Sequence, residues 1–263
     1  VNAEATGTVA RVVRLLQHLA EVDGDVSIKE MSARLSLPPS TVHRLLNLLV
    51  DDGIVERSAS RHVYRPGLEL IRIASLIASK TRIADIALPV MRAVVEACDE
   101  VCMLVLYLPA ARRVMVASSV DSSNPLRYQV ERFVPHSLLW GATGRSTLAF
   151  LPPDVIDQAI AENDPSPASG APLPPRAEFL AELAAIRARG YVLTQGQKIG
   201  GAVGIGVPIF NADGSVLGGL CITVPKVRFQ PSSEQALAAL LLKHVATLNT
   251  TLGHVAPLRA LRA

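Results

Sequence analysis

Three runs of helical periodicity crowded into residues 9–53, followed by an abrupt change to a period of two, leave few folds open to the amino-terminal part of this chain. Val9, Val12, Val13, Leu16, Leu19 and Ala20 follow the i, i+3, i+4, i+7 spacing of an amphipathic helix, which Gly24 ends. Ser27 with Glu30 three residues on reads as a capping box, in which hydroxyl and carboxylate each take an orphan backbone N–H. Ile28, Met31 and Leu35 then give a short second helix. After a break at Ser36 to Pro39, with Pro38 and Pro39 suited to a first helical turn, Val42, Leu45, Leu46 and Leu49 form the buried stripe of a third helix ending at Gly53. From Ile54 to Arg65 the apolar residues Ile54, Val55, Val63 and Tyr64 flank the polar turn Ser58-Ala59-Ser60, which predicts a two-stranded ribbon. Helix, helix, helix, ribbon is the order of a winged helix-turn-helix.

The rest of the chain reads as an antiparallel α+β domain. Leu68 to Lys80 predicts a connecting helix that leads away from the first unit, and Ile83 to Cys98 another helix. Val101 to Leu108 and Arg113 to Val120 read as a hairpin joined through Pro109-Ala110. Asn163 to Arg176 holds five prolines in fourteen residues, so it cannot sustain a ladder of backbone hydrogen bonds and is expected to be an extended loop. An Ala-rich helix from Glu178 to Arg189 stops at Gly190. Strands Val203 to Phe210 and Val216 to Val224 meet at the turn Asn211-Ala212-Asp213-Gly214, and a helix from Ser233 to Leu252 follows. Short strands paired by turns, with helices at either end, argue for an antiparallel sheet rather than a doubly wound parallel one. The expected organisation is a winged helix-turn-helix over 1–66, a linker helix over 67–81 and a second domain over 82–263.

Composition narrows the class. With 263 residues, 49% hydrophobic and 19% charged, the chain is a globular protein of one or two domains. Apolar stretches such as Ala236 to Leu242 fall far short of the roughly 18 residues a bilayer span needs, so no membrane partner is expected. Residues 1–20 carry Glu4, Arg11 and Arg14 in a helical pattern rather than the layout of a secretory signal, which makes the cytoplasm the expected compartment. Cys98, Cys102 and Cys221 make an odd count and read as buried thiols; no metal and no cofactor is expected. No G-x-S-x-G elbow, Walker A loop, H-E-x-x-H or G-x-G-x-x-G after a strand is present, so the chain is not expected to be an enzyme. Gly200, Gly201, Gly204 and Gly206 lack the Lys and Ser/Thr of a phosphate loop and read as close-packing glycines. His136 lacks a carboxylate or cysteine at ligand spacing and reads as structural.

Bulk charge does not single out a nucleic-acid domain, since residues 1–80 hold ten Lys or Arg against nine Asp or Glu. The pattern on the third helix does. Opposite its apolar stripe lie Ser40, Thr41, His43, Arg44 and Asn47. Arg can take both acceptors of a guanine edge, Asn can pair bidentately with adenine, and short hydroxyls near a helix start reach phosphate oxygens. Arg57, Arg61 and His62 at the wing tip suit phosphates or the minor groove. The expected partner is a double-stranded DNA operator. One unit of this size makes too few phosphate contacts for tight binding at physiological salt, so dimerisation is expected, with helix 1 and Leu68 to Lys80 as the seam.

Several blocks, in this order, resemble the IclR-type transcriptional regulators over nearly the whole chain: "LSLPPSTVHRLLNLLVDDGIVER" followed by "YRPG", then "TGRSTLAFLP", "RARGYVLTQG" and "AVGIGVPIFNADGSVLGGLCITVP". The resemblance implies a winged-helix reader joined by a helix to a GAF-like ligand-binding domain. It also implies a homodimer or homotetramer that binds a small organic acid, aromatic or central-metabolic, and regulates the genes consuming it. Carried over by position, the effector pocket falls on Ala142, Thr143, Thr194, Ala202, Gly204, Cys221 and Thr223. An acid there would be received by the backbone N–H groups of Gly141-Ala142-Thr143-Gly144 at a helix start, with no dedicated Arg, while Ala202 and Gly204 shape the floor. The chain departs from the family in having Arg145 where Lys is usual. It also has Gln195-Gly196-Gln197 where acidic residues are common, which disfavours a metal or a cationic ligand. Two other classes stay open: an enzyme acting on a small metabolite with an appended DNA-binding domain, and a DNA-bound scaffold that needs no ligand.

Overall fold

In the computed structural model, which describes residues 7–58, 62–80 and 83–254, the chain separates between Arg82 and Ile83 into two units. The first unit is built by local signals. Helix α1 (Thr8–Glu21) precedes strand β1 (Val26–Ser27) and helix α2 (Ile28–Leu35), whose capping box is complete. Glu30 N–H donates to Ser27 Oγ at 3.3 Å, and Ser27 N–H donates to Glu30 Oε2 at 2.8 Å. Ser36, left-handed at φ 53°, closes α2, and Pro39 opens α3 (Pro39–Asp51). Leu15, Leu19, Met31, Val42, Leu45 and Leu46 bury the apolar stripes of the three helices in one core.

The ribbon departs from expectation. Strands β2 (Val55–Arg57) and β3 (Val63–Pro66) pair antiparallel, but β1 joins the other edge of β3, with Val26 opposite Tyr64, to give a three-stranded sheet. Ser27 belongs to both elements, because an N-cap residue keeps extended dihedrals, here φ −87° and ψ 158°, and can therefore also pair as a strand. Helix α4 (Leu68–Lys80) starts tight against the base of the ribbon and lies within the first unit. Gly67 N–H donates to Ile54 O at 2.8 Å, and a Cβ on Gly67 would lie 2.1 Å from Gly53 O.

The second unit is a six-stranded antiparallel sheet between two helical layers. Helix α5 (Ile83–Cys98) leads into the hairpin of β4 (Val101–Leu108) and β5 (Arg113–Val120), and the short β6 (His136–Ser137) pairs with β5. Three helices follow: α6 (Gly141–Leu148), α7 (Pro153–Glu162) and α8 (Arg176–Arg189). Strands β7 (Val192–Gln195), β8 (Ala202–Phe210) and β9 (Val216–Pro225) precede α9 (Glu234–Thr251). The order across the sheet is β6-β5-β4-β9-β8-β7. Alternation along the strands divides the core: Cys102, Leu104, Leu220 and Ile222 pack toward Met91, Val94, Leu241 and Val245 of α5 and α9. Val101, Met103, Val105 and Cys221 face Leu148, Ile156, Phe179 and Leu183 of the other layer. Among the described residues no helix is long and apolar enough to cross a membrane.

Candidate nucleic-acid interface and ligand cavity

On α3 the burial of Val42, Leu45 and Leu46 turns the opposite face outward. Ser40, His43 and Arg44 are exposed and Thr41 and Asn47 half-buried, and among the described residues none of these five side chains has a hydrogen-bond partner. Donors and acceptors are thus available along one helix face. In the wing, exposed Arg57 on β2 places Nη2 3.0 Å from His62 Nδ1, and His62 is also exposed, at φ 51°. Arg65 is paired with Glu56 at 2.9 Å and so is committed within the ribbon. Arg61 lies outside the described residues.

The second unit contains a cavity of about 390 Å³ between α6, the sheet and the segment 121–135. All seven positions carried over by resemblance line it: Ala142, Thr143, Thr194, Ala202, Gly204, Cys221 and Thr223. They come together because α6 lies unusually close to β8. A Cβ on Gly204 would sit 2.9 Å from Ala142 Cβ, and one on Gly206 2.9 Å from Ala142 O, so the glycines admit the helix. Gly144 plays the same part on the far side, where a Cβ would lie 2.6 Å from Leu138 O. Close packing and cavity lining are therefore one arrangement at Gly204.

Thr143 is 7% exposed, and its Oγ1 finds no hydrogen-bond partner among the described residues. A buried hydroxyl left unpaired is costly. Two features mark the start of α6, where an anion is expected. Gly141 N–H is already taken by Gln197 Oε1 at 3.2 Å, and Lys198 lines the cavity beside it. Arg145, by contrast, points away: its side chain is 2% exposed, donates from Nε to Leu139 O at 2.9 Å, pairs with Glu182 and stacks on Trp140 and Phe179.

His136, read as structural, lines the same cavity. Burial, reinforced by the Lys198 charge, pushes its pKa down to about 4 and keeps the imidazole neutral. Burial lowers Lys198 to about 8 against the favourable pull of Glu131. It also drives the Cys221 thiol up to about 12, so Cys221 presents a neutral S–H, 3.9 Å from Ser146 Oγ.

Tyr128, Gln129, Val130 and Glu131, cavity-lining residues that sequence reading missed, come from the strap 121–135, which has no regular structure and no periodic pattern. Its start is held by Asp99, whose carboxylate accepts from Ser123 N–H at 2.8 Å and Asn124 Nδ2 at 3.0 Å. Its middle is held by Tyr128 OH donating to Gly200 O at 3.3 Å, and its end by Phe133 N–H donating to Val116 O at 2.9 Å. The proline-rich loop closes another side, with Pro167 in the lining and Ser166 Oγ donating to Gln197 O at 2.7 Å. One available signal was the lone cation in the run Gln195-Gly196-Gln197-Lys198-Ile199-Gly200-Gly201.

Two family models match the chain, the IclR helix-turn-helix domain over residues 8–59 and the bacterial transcriptional regulator IclR C-terminal over residues 75–250. The chain is 25% identical over 240 residues to the HTH-type transcriptional regulator BhcR of Paracoccus denitrificans, covering 90% of this chain and 85% of that protein. The IclR transcriptional regulator from Alicyclobacillus acidocaldarius has a similar fold, with a TM-score of 0.81 at 21% identity over 95% of this chain and 100% of that one. So does an IclR homolog from Microbacterium hydrocarbonoxydans complexed with 4-hydroxybenzoate, with a TM-score of 0.77 at 23% identity over 94% and 99% of the two chains.

Proposed function

The chain belongs to the IclR family of bacterial DNA-binding transcriptional regulators, and from that premise we propose that it binds a specific operator under the control of a small organic acid held in its second unit. Residues 1–66 read DNA, 67–81 link and 82–263 sense. Arg44 and Asn47 take base edges in the major groove, while Ser40, Thr41 and His43 meet phosphates or neighbouring edges. Arg57 and His62, with Arg61, hold the backbone from the wing. The protein acts in the cytoplasm, where its operator lies. It acts as a homodimer or homotetramer, because one reader of this size stays near ~10⁻⁴ to 10⁻⁶ M on DNA at physiological salt. Val9, Val13, Leu68 and Ile71 on α1 and α4 are exposed apolar residues that suit a seam between copies.

The observation that carries the sensing half is the cavity at the first turn of α6 with Thr143 in its wall, whose hydroxyl has no partner among the described residues. An acid carboxylate fits a helix start, and the apolar walls Met103, Val116 and Val130 fit a ring or branched chain. The relative bound to 4-hydroxybenzoate makes aromatic acids the first class to test. A neutral thiol and a neutral imidazole, neither paired with a carboxylate among the described residues, favour a sensor over an enzyme. The test is to select a bound duplex from a random-sequence pool and titrate it with the protein, with and without a panel of aromatic and aliphatic acids. A coupling of ~1 to 3 kcal/mol changes duplex affinity about 5-fold to 150-fold. Failure to retain any duplex, or an affinity unmoved by every acid that calorimetry shows to bind, would overturn the proposal.

A further inference from the structure

Among the described residues that line the cavity Lys198 is the one cationic side chain, and its stem packs against the start of α6. Its Cβ would be 3.0 Å, and its Cδ 3.6 Å, from a Cβ on Gly141, so the aliphatic stem lies along the start of α6 and the ammonium is carried beside the helix's first turn. Among the described residues that ammonium makes no hydrogen bond and no ion pair. The other titratable groups around the cavity are Tyr128 and Glu131 on the strap, His136 on β6 and Cys221 on β9. At neutral pH His136 and Cys221 are uncharged, which leaves Lys198 and Glu131 as the charges facing the space.

We propose that Lys198 is the counter-ion of the bound acid, and that Glu131 restricts the cavity to acids with one carboxylate on an apolar body. This rests on the reading of the cavity as the effector site. A carboxylate lodged between Lys198 and the first turn of α6 satisfies three groups at once: the partly desolvated ammonium, the Thr143 hydroxyl, and backbone N–H groups beyond the one that Gln197 occupies. A second carboxylate on the same ligand meets the like charge of exposed Glu131 and finds no second cation among the described residues of the lining. The lowered pKa of Lys198, about 8, fits an ammonium that lacks its anion in the ligand-free protein.

The test is calorimetry on the full chain with benzoate, 4-hydroxybenzoate, benzamide and terephthalate, up to millimolar concentrations. The benzoates should bind, and benzamide and terephthalate at least ~10-fold more weakly. Lys198→Met should cost benzoate at least ~10-fold and leave benzamide unchanged, and Lys198→Arg should keep benzoate binding. Above pH of about 8 the wild-type affinity for benzoate should fall by up to tenfold per pH unit as Lys198 loses its proton, whereas Lys198→Arg should stay flat. The wild-type pH profile is independent of any effect of substitution on folding. Unchanged benzoate affinity in Lys198→Met, with binding abolished by Ala202→Phe, would leave the cavity as the site and overturn the role of Lys198. Terephthalate binding as tightly as benzoate would overturn the role of Glu131. Benzoate binding that survives Ala202→Phe, or no binding of any of these acids by the wild type, would overturn the cavity reading and this inference together.

Discussion

Replacing Thr143 with valine should stabilise the ligand-free protein and weaken its grip on an acid, two effects that a merely structural residue would not combine. The side chain is 7% exposed and its Oγ1 has no hydrogen-bond partner among the described residues. A buried polar group without a partner costs ~1 to 3 kcal/mol, and valine fills nearly the same volume with a methyl group. The melting temperature should therefore rise by about 2 to 4 °C per kcal/mol recovered, the scale for a domain of 150 to 250 residues. The hydroxyl's bond to a carboxylate, worth ~1.5 to 3 kcal/mol for a charged acceptor, disappears, and benzoate affinity should drop roughly 10-fold to 150-fold. Thr147 supplies an internal control. It is 0% exposed with an equally unpartnered Oγ1, one turn along α6, but it does not line the cavity. Thr147→Val should raise the melting temperature alike and leave benzoate affinity untouched. Scanning calorimetry of the ligand-free chains and isothermal titration with benzoate measure both quantities. A Thr143→Val protein that melts below wild type, or equal affinity losses in the two variants, would refute the reasoning.

Arg44→Ala should cost about 1 to 3 kcal/mol on the selected duplex and flatten its sequence preference, whereas Arg57→Ala should weaken all duplexes alike and lower the salt slope by about one. Fluorescence anisotropy across salt concentrations checks both, and equal losses on selected and random DNA for both variants would remove this division of labour. Val13→Glu combined with Ile71→Glu, at positions 47% and 53% exposed, should shift the chain toward monomer in sedimentation velocity; an unchanged sedimentation coefficient would place the seam elsewhere. Arg145→Lys should destabilise by about 2 kcal/mol in urea titration, because an ammonium cannot keep the Leu139 carbonyl, Glu182 and two aromatic faces together. An unaltered midpoint would show that the guanidinium fork adds nothing over a point charge.

The winged unit was legible in the sequence because its determinants are local. The Ser27 and Glu30 pair sits three residues apart, Pro39 sets the first turn of α3, and the stripe Val42, Leu45, Leu46 selects by its own spacing which side chains turn outward. The hairpins of the second unit were legible for the same reason, through alternation and turn residues. Pairing of β1 with β3 was not, since it joins residues nearly forty apart and adds no periodic signal of its own. The seven cavity positions were reached by resemblance of sequence blocks, not by spacing, and tertiary structure gathers them from α6, β7, β8 and β9 into one wall. What only that structure decided is the cavity's charge. His136 lacks any ligand-like neighbour along the chain, and Lys198 looks like a solvated loop lysine. Each acquires its character when the strap 121–135, pinned by Asp99, and the proline-rich loop, pinned through Ser166, withdraw it from water beside the start of α6. Burial is a property of what packs against a side chain, and for Lys198 the strap and the start of α6 lie tens of residues away, beyond the reach of any local pattern.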